Sequence, residues 1–177
     1  LSGGGEMGKL IRSMDWSNNP LGPIGSWPQS LLTTVSLCLA SNFPICMIWG
    51  KEHIQIYNDG YIPICGALHP KSLGMDFTKC WAPAMPVIGE GFYGALAGNA
   101  SFVENQKVFV NRYGFLEEIF VTVSFSPIRD ESGDVGGVFH PLTEQTSTIL
   151  SKRRTRAMRD LAARTGNAKT IEEVFLM

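Results

Sequence analysis

Between Glu118 and Ser126 the sequence alternates with a period of two. Ile119, Val121, Val123 and Phe125 fall on one side, and Glu118, Thr122, Ser124 and Ser126 mostly occupy the other. An extended strand throws successive side chains to opposite faces, and only a sheet with one covered face needs them sorted this way. Such a strand requires antiparallel neighbours, and the flanking sequence supplies them. Residues 102–110 are β-prone, and NRYGFLEE (111–118) carries the glycine for a turn between two strands. RDESGD (129–134) predicts a second turn, followed by a short strand over 135–140. Gly136 and Gly137 inside that strand permit a close approach by a ligand or another backbone. A bulge is the simpler reading and is favoured. Upstream, the apolar runs 45–49 and 53–57 flank the corner GKE, the pattern of a β-hairpin.

Helical periodicity occupies the remainder. Residues 6–16 predict a short helix, followed by an irregular arm to residue 25. Ser26 is expected to open the next helix, with Gln29 as its capping-box partner and Pro28 tolerated in the first turn. Leu31, Leu32, Val35, Cys38 and Leu39 form its buried stripe, and the helix should end near Asn42, ahead of Pro44. Asn58 and Asp59 read as N-caps of a short turn carrying Tyr61, Ile62 and Cys65. Residues 66–99, rich in Gly, Pro and small side chains, predict helical pieces near 76–81 and 86–97 and form the natural wall of a pocket. Beyond Pro141 a helix returns. Leu150, Ala157, Met158 and Leu161 make a narrow stripe among Lys152, Arg153, Arg154, Arg156 and Arg159, so this helix needs a partner. The expected organisation is an N-terminal arm and helix over 1–42, a core over 43–142, and a linker helix over 143–177 that leads to an output domain.

Composition excludes several classes. With 44% hydrophobic and 18% charged residues, neither disorder nor a rod is expected. Fifteen basic residues against sixteen acidic ones give no field to hold a phosphate backbone, so nucleic acid is not the expected partner; the basic exit helix is read as a solvated face. No apolar stretch reaches the ~20 residues of a membrane helix, and no secretory signal opens the sequence. Cys38, Cys46, Cys65 and Cys80 sit among apolar neighbours without a CxxC pair, as reduced core thiols do. A cytoplasmic location is expected.

Catalytic signatures are absent: there is no GxSxG, HExxH or phosphate loop, so no enzymatic role is expected. His53, His69 and His140 have neither metal-ligand nor triad spacing and are expected in surface or loop hydrogen bonds.

The order helix, two strands, short helices, three strands and exit helix resembles a PAS domain. GEMGKLIRSMDWSNNPLGPIGSWPQSL, YNDGY (57–61) and SFSPIRDESGDVGGVF (124–139) are similar to PAS domains near the N-termini of bacterial multidomain sensor kinases, a likeness covering about residues 5–165. The final RRTRAMRDLAARTGNAKTIEEV is similar to the linker that leads, in those proteins, into a GAF domain and a histidine kinase. The resemblance implies an α+β fold: a five-stranded antiparallel sheet, short helices over one face, a small cavity and usually a homodimer. It also implies that Trp49, Tyr57, Tyr61, Trp81, Tyr93, Phe109 and Phe125 lie on cavity-facing elements, where Asn58 or a tyrosine hydroxyl would orient a small ligand. Aromatic core filling, with Asn58 a helix cap, is the simpler account of these residues. Thr143, Leu150, Met158 and Leu161 would carry the signal outward in two-component signalling. Haem is disfavoured, because residues 83–99 hold no histidine. Flavin is disfavoured too, because Cys80 lacks the neighbours that flavin photosensors place around their cysteine, and nothing recommends a p-coumaric acid thioester. The alternative to sensing is a ligand-free dimerisation module.

Overall fold

The computed structural model describes residues 1–167. Its elements are α1 (Gly5–Ser13), α2 (Gln29–Ala40), β1 (Ile45–Trp49), β2 (Ile54–Tyr57), α3 (Ile62–Cys65), α4 (Phe77–Cys80), α5 (Met85–Leu96), β3 (Ser101–Val110), β4 (Glu117–Arg129), β5 (Val135–Glu144) and α6 (Thr146–Asn167), with 3₁₀ turns at Ile24–Ser26, Asp59–Tyr61 and Gly66–Leu68. The five strands form one antiparallel sheet in the order β2-β1-β5-β4-β3, so the early hairpin joins the late meander through the β1–β5 pairing. Residues Leu1–Glu144 form one compact body, and α6 belongs to a second unit.

Burial follows from strand position. In β4 the predicted alternation holds: Ile119, Val121, Val123 and Phe125 are buried, whereas Thr122, Ser124 and Ser126 are only partly covered. In β1 and β2 every residue is buried, which is why they read as unbroken apolar runs. Helix α2 packs beside these two strands, and α5 lies against β3, β4 and β5. Met7, Ile11, Leu31 and Val35 therefore share one core with Ile48, Phe92 and Phe125. The arm between α1 and α2 is pinned by an edge-on contact of Trp16 with Trp27 at 5.1 Å. Each indole N–H donates to a carbonyl five residues back, at Ile11 and Gly22.

The helix caps are where sequence and structure part. Ser26 closes a 3₁₀ turn and Gln29 bonds Thr33, so the predicted capping box does not form. The start of α2 is capped instead by Glu131, from the β4–β5 turn, whose carboxylate accepts from the Ser30 amide (2.7 Å) and hydroxyl (3.0 Å). Asn58 and Asp59 do not cap the turn they open. The Asp59 carboxylate accepts from the Glu6 and Met7 amides, at 3.0 and 2.7 Å, and so caps α1. Asn58 anchors the α2–β1 corner: its Oδ1 accepts from the Ile45 amide at 3.0 Å, and its Nδ2 donates to the carbonyls of Cys38, Ser41 and Phe43 at 2.7–3.1 Å. All these caps come from residues distant in sequence, so no local spacing announces them.

Gly136 and Gly137 combine the two readings weighed for them. Ile128 pairs with Gly137 but Arg129 with Val135, so Gly136 is the extra residue of a bulge. A β-carbon on Gly136 would stand 2.9 Å from the Trp49 ring, and one on Gly137 would meet both that ring and the Ile48 carbonyl. The glycines let β1 and the Trp49 ring lie directly on β5.

Candidate functional site

Between the sheet and the short helices lies a small cavity of about 20 Å³, room for about one water. Tyr61, Phe77, Trp81 and Ile88 approach from the helical side, Val121 and Val123 from β4, and His140 from β5. Val138, His140 and Leu142 share one strand face, and all three are buried. His140 is thus a core residue rather than the surface or loop group expected from sequence. Its period-two relation to Val138 and Leu142 was the available signal.

The His140 ring stacks on Phe125 with centroids 4.2 Å apart and planes 3° from parallel, and meets Phe77 edge-on at 5.7 Å. Its Nδ1 lies 2.9 Å from the Ser124 carbonyl. A carbonyl only accepts, so Nδ1 carries the hydrogen and the neutral ring keeps Nε2 as its acceptor. Burial pushes the imidazole down to about 4, opposed by the bond to Ser124. Because the folded value lies below the ordinary 6.5, the unfolded chain takes up a proton first as pH falls. The stabilising effect of a neutral His140 is thus complete above pH 6.5 and is lost between about 6.5 and 4. About 2 kcal/mol of stability should disappear between pH 7 and pH 5 through this residue. Chemical denaturation at the two pH values checks this, and His140→Leu should flatten that dependence.

Beside the cavity runs a polar chain. Tyr57 Oη lies 3.1 Å from His69 Nδ1 and 3.0 Å from Ser72 Oγ, and His69 Nε2 meets Glu6 Oε1 at 3.0 Å. Gln55 links the Ser72 carbonyl, to which it donates at 2.8 Å, with the Trp81 indole N–H, from which it accepts at 3.1 Å. Burial raises the Tyr57 and Tyr61 phenols and pushes the Cys38 and Cys65 thiols up to about 12, so these groups stay protonated and are not nucleophiles. The four cysteines are free thiols. No group of three or more His, Cys, Asp or Glu among the described residues is placed to hold a metal ion.

Of the residues expected around a ligand, Tyr61 and Trp81 line the cavity. Tyr57 and Phe125 belong to the same buried aromatic cluster, at 5.7 Å from Tyr61 and 6.5 Å from Phe77. Trp49 lines an outer cleft of about 590 Å³ with Lys51, His53 and Asp130. Asn58 is buried and fully engaged by backbone groups. Tyr93 and Phe109, expected to face the interior, are instead exposed, at 53% and 37%. The other lining residues, Phe77, Ile88, Val121, Val123 and His140 among them, were not among those expected around a ligand. Thr143 pairs with Thr122 at the end of β5, and Leu150, Met158 and Leu161 are exposed on α6.

At the far end of the sheet Arg112 is buried and clamped. Nε and Nη2 reach both Glu117 oxygens at 2.8 and 2.9 Å, Nη1 and Nη2 reach both Glu144 oxygens at 2.7 and 3.0 Å, and Nη1 also donates to the Pro63 and Ile64 carbonyls. Glu144 is the last residue of β5. The guanidinium holds the Glu117 carboxyl below its ordinary range.

No protein-family model and no curated protein matches the sequence. Among solved structures, an RNA-binding light-oxygen-voltage receptor superposes with a TM-score of 0.50 at 15% identity; the likeness covers 82% of this chain, which spans 42% of that receptor. The PAS domain of Bordetella pertussis BvgS gives 0.46 at 18% identity, covering 75% of this chain and 99% of that one. A light-oxygen-voltage domain studied with a flavin analogue gives 0.48 at 13% identity, covering 72% and 96%. With the strand order and flanking helices described above, the chain has the PAS and light-oxygen-voltage fold. No helix among the described residues is long and apolar enough to cross a membrane.

Proposed function

We propose that this chain is a non-enzymatic sensory input module whose body responds to a small ligand or partner and whose exit helix passes the response on. The observation that carries this reading is the fold: five antiparallel strands in the order β2-β1-β5-β4-β3 with short helices against the sheet and an exit helix after β5, the architecture it shares with the light-oxygen-voltage receptor. The resemblance of the C-terminal sequence to PAS-to-GAF linkers supports a cytoplasmic, homodimeric sensor histidine kinase of a two-component system as the setting.

Light-oxygen-voltage neighbours return flavin to the candidates that the sequence reading set aside. The interior does not fit it: ligand pockets run to ~300–1,000 Å³, against about 20 Å³ here. Cys80 lines an outer cleft rather than this cavity, and burial raises its thiol. Haem meets the same volume limit.

The filled interior favours a second reading, a ligand-free dimerisation module. Native mass spectrometry of gently purified protein separates the two. A small molecule retained in stoichiometric amount supports sensing, whereas a dimer free of any adduct, with no thermal shift from any metabolite class, supports dimerisation alone. For the exit helix, Met158→Glu with Leu161→Glu in the full-length protein is expected to abolish regulation of output activity while leaving the body's unfolding midpoint unchanged. An output assay with unchanged regulation would remove α6 from the signalling route.

A further inference from the structure

A second cleft, of about 520 Å³, opens on the outer side of the cavity wall. Successive residues divide between the two spaces: Cys80, Pro83 and Asn111 line the cleft, while Trp81, Ala84 and Val110 line the cavity. The cleft therefore backs directly onto the segment that encloses the interior. Leu68, Met75 and Pro83 give it an apolar wall, and Met75 is 46% exposed. Its charged lining residues are Lys71 and Lys79, with no carboxylate among the lining groups. Asp76 lies 3.6 Å from Lys79 Nζ, just outside the lining, and offsets part of one charge. The half-buried Cys80 thiol, raised by desolvation, adds no negative charge. Ser72, also in the lining, bonds Tyr57, and its carbonyl accepts from Gln55, which in turn holds the Trp81 indole.

We propose that this cleft binds a monocarboxylate bearing a short apolar chain. The chain would lie along Leu68, Met75 and Pro83, and the carboxylate would sit between the two ammonium groups. The inference rests on the input-module reading and names its ligand class. It moves the site from the interior, which admits about one water, to an outer cleft of about 520 Å³, within the ~300–1,000 Å³ of ligand pockets. Occupancy would act on the interior through the Ser72–Tyr57 and Ser72–Gln55–Trp81 hydrogen bonds.

Calorimetric titration of the protein with octanoate, octan-1-ol and octylammonium tests the assignment. Saturable 1:1 binding of octanoate is expected, at least tenfold tighter than octanol, with no octylammonium binding. Lys71→Glu with Lys79→Glu should weaken octanoate at least tenfold, and Lys71→Arg with Lys79→Arg should retain it. Equal binding of octanoate and octanol, no binding of octanoate, or equal octanoate binding by the charge-reversed protein would each overturn the cleft assignment. None of these results touches the input-module reading, which fails separately if the exchange of α6 amides proves independent of the body.

Discussion

Replacing Asn58 by alanine is expected to destabilise the body by about 4 kcal/mol, because the substitution removes four hydrogen bonds to backbone groups at once. The Ile45 amide loses its acceptor, the Ser41 and Phe43 carbonyls lose their donor, and the Cys38 carbonyl keeps only the Ser41 amide. An unsatisfied buried polar group costs about 1–3 kcal/mol, and the lower figure applies where water can reach the exposed corner. For a chain of this length the loss corresponds to a fall in melting temperature of roughly 10 °C. Asn58→Asp keeps the acceptor for Ile45 but removes the donor, so it should recover only a minor part of the loss. Calorimetric melting of the three proteins measures the effect. A loss of under 1 kcal/mol for Asn58→Ala would show that this side chain does not hold the α2–β1 corner.

Arg112→Met should cost about 3 kcal/mol, the lower end of what removing one partner from a buried ion pair costs, since both glutamates retain some contact with solvent. The methionine fills part of the volume but leaves Glu117 and Glu144 facing a site without its cation, and the Pro63 and Ile64 carbonyls without their donor. The pH dependence has a definite sign. Glu117 has a lowered value in the folded protein, so its contribution is present above pH 4.5 and is lost as pH falls below it. The difference between wild type and Arg112→Met should therefore be larger at pH 7 than at pH 4, measured by urea denaturation. A difference independent of pH would assign the loss to packing.

The sheet was legible because its strands obey local rules. The period-two pattern of Ile119 to Phe125 and the apolar runs around GKE specify strands without outside help, and the glycine-bearing turns place their ends. The caps were illegible for the opposite reason. Glu131 caps a helix 101 residues earlier in the chain, and Asp59 caps one more than 50 residues earlier, so the sequence around each suggests only a turn. The site lay between these cases. Tyr61 and Trp81 were found because the short helices that carry them were recognised, whereas His140 was missed although Val138 and Leu142 mark its face. Tyr93 and Phe109 were misplaced because aromatic character alone does not say which side of a helix or edge strand faces inward.

Arg112 also offers a test of whether a change in the body reaches the exit helix. Its bonds to Glu144 hold the end of β5 two residues before α6 begins. Hydrogen–deuterium exchange of the amides of residues 146–167 in the full-length protein, wild type against Arg112→Met, reads that connection directly. A clear change in α6 protection is expected under conditions where the variant's body remains folded. Identical exchange across α6, with altered exchange confined to the body, would contradict it.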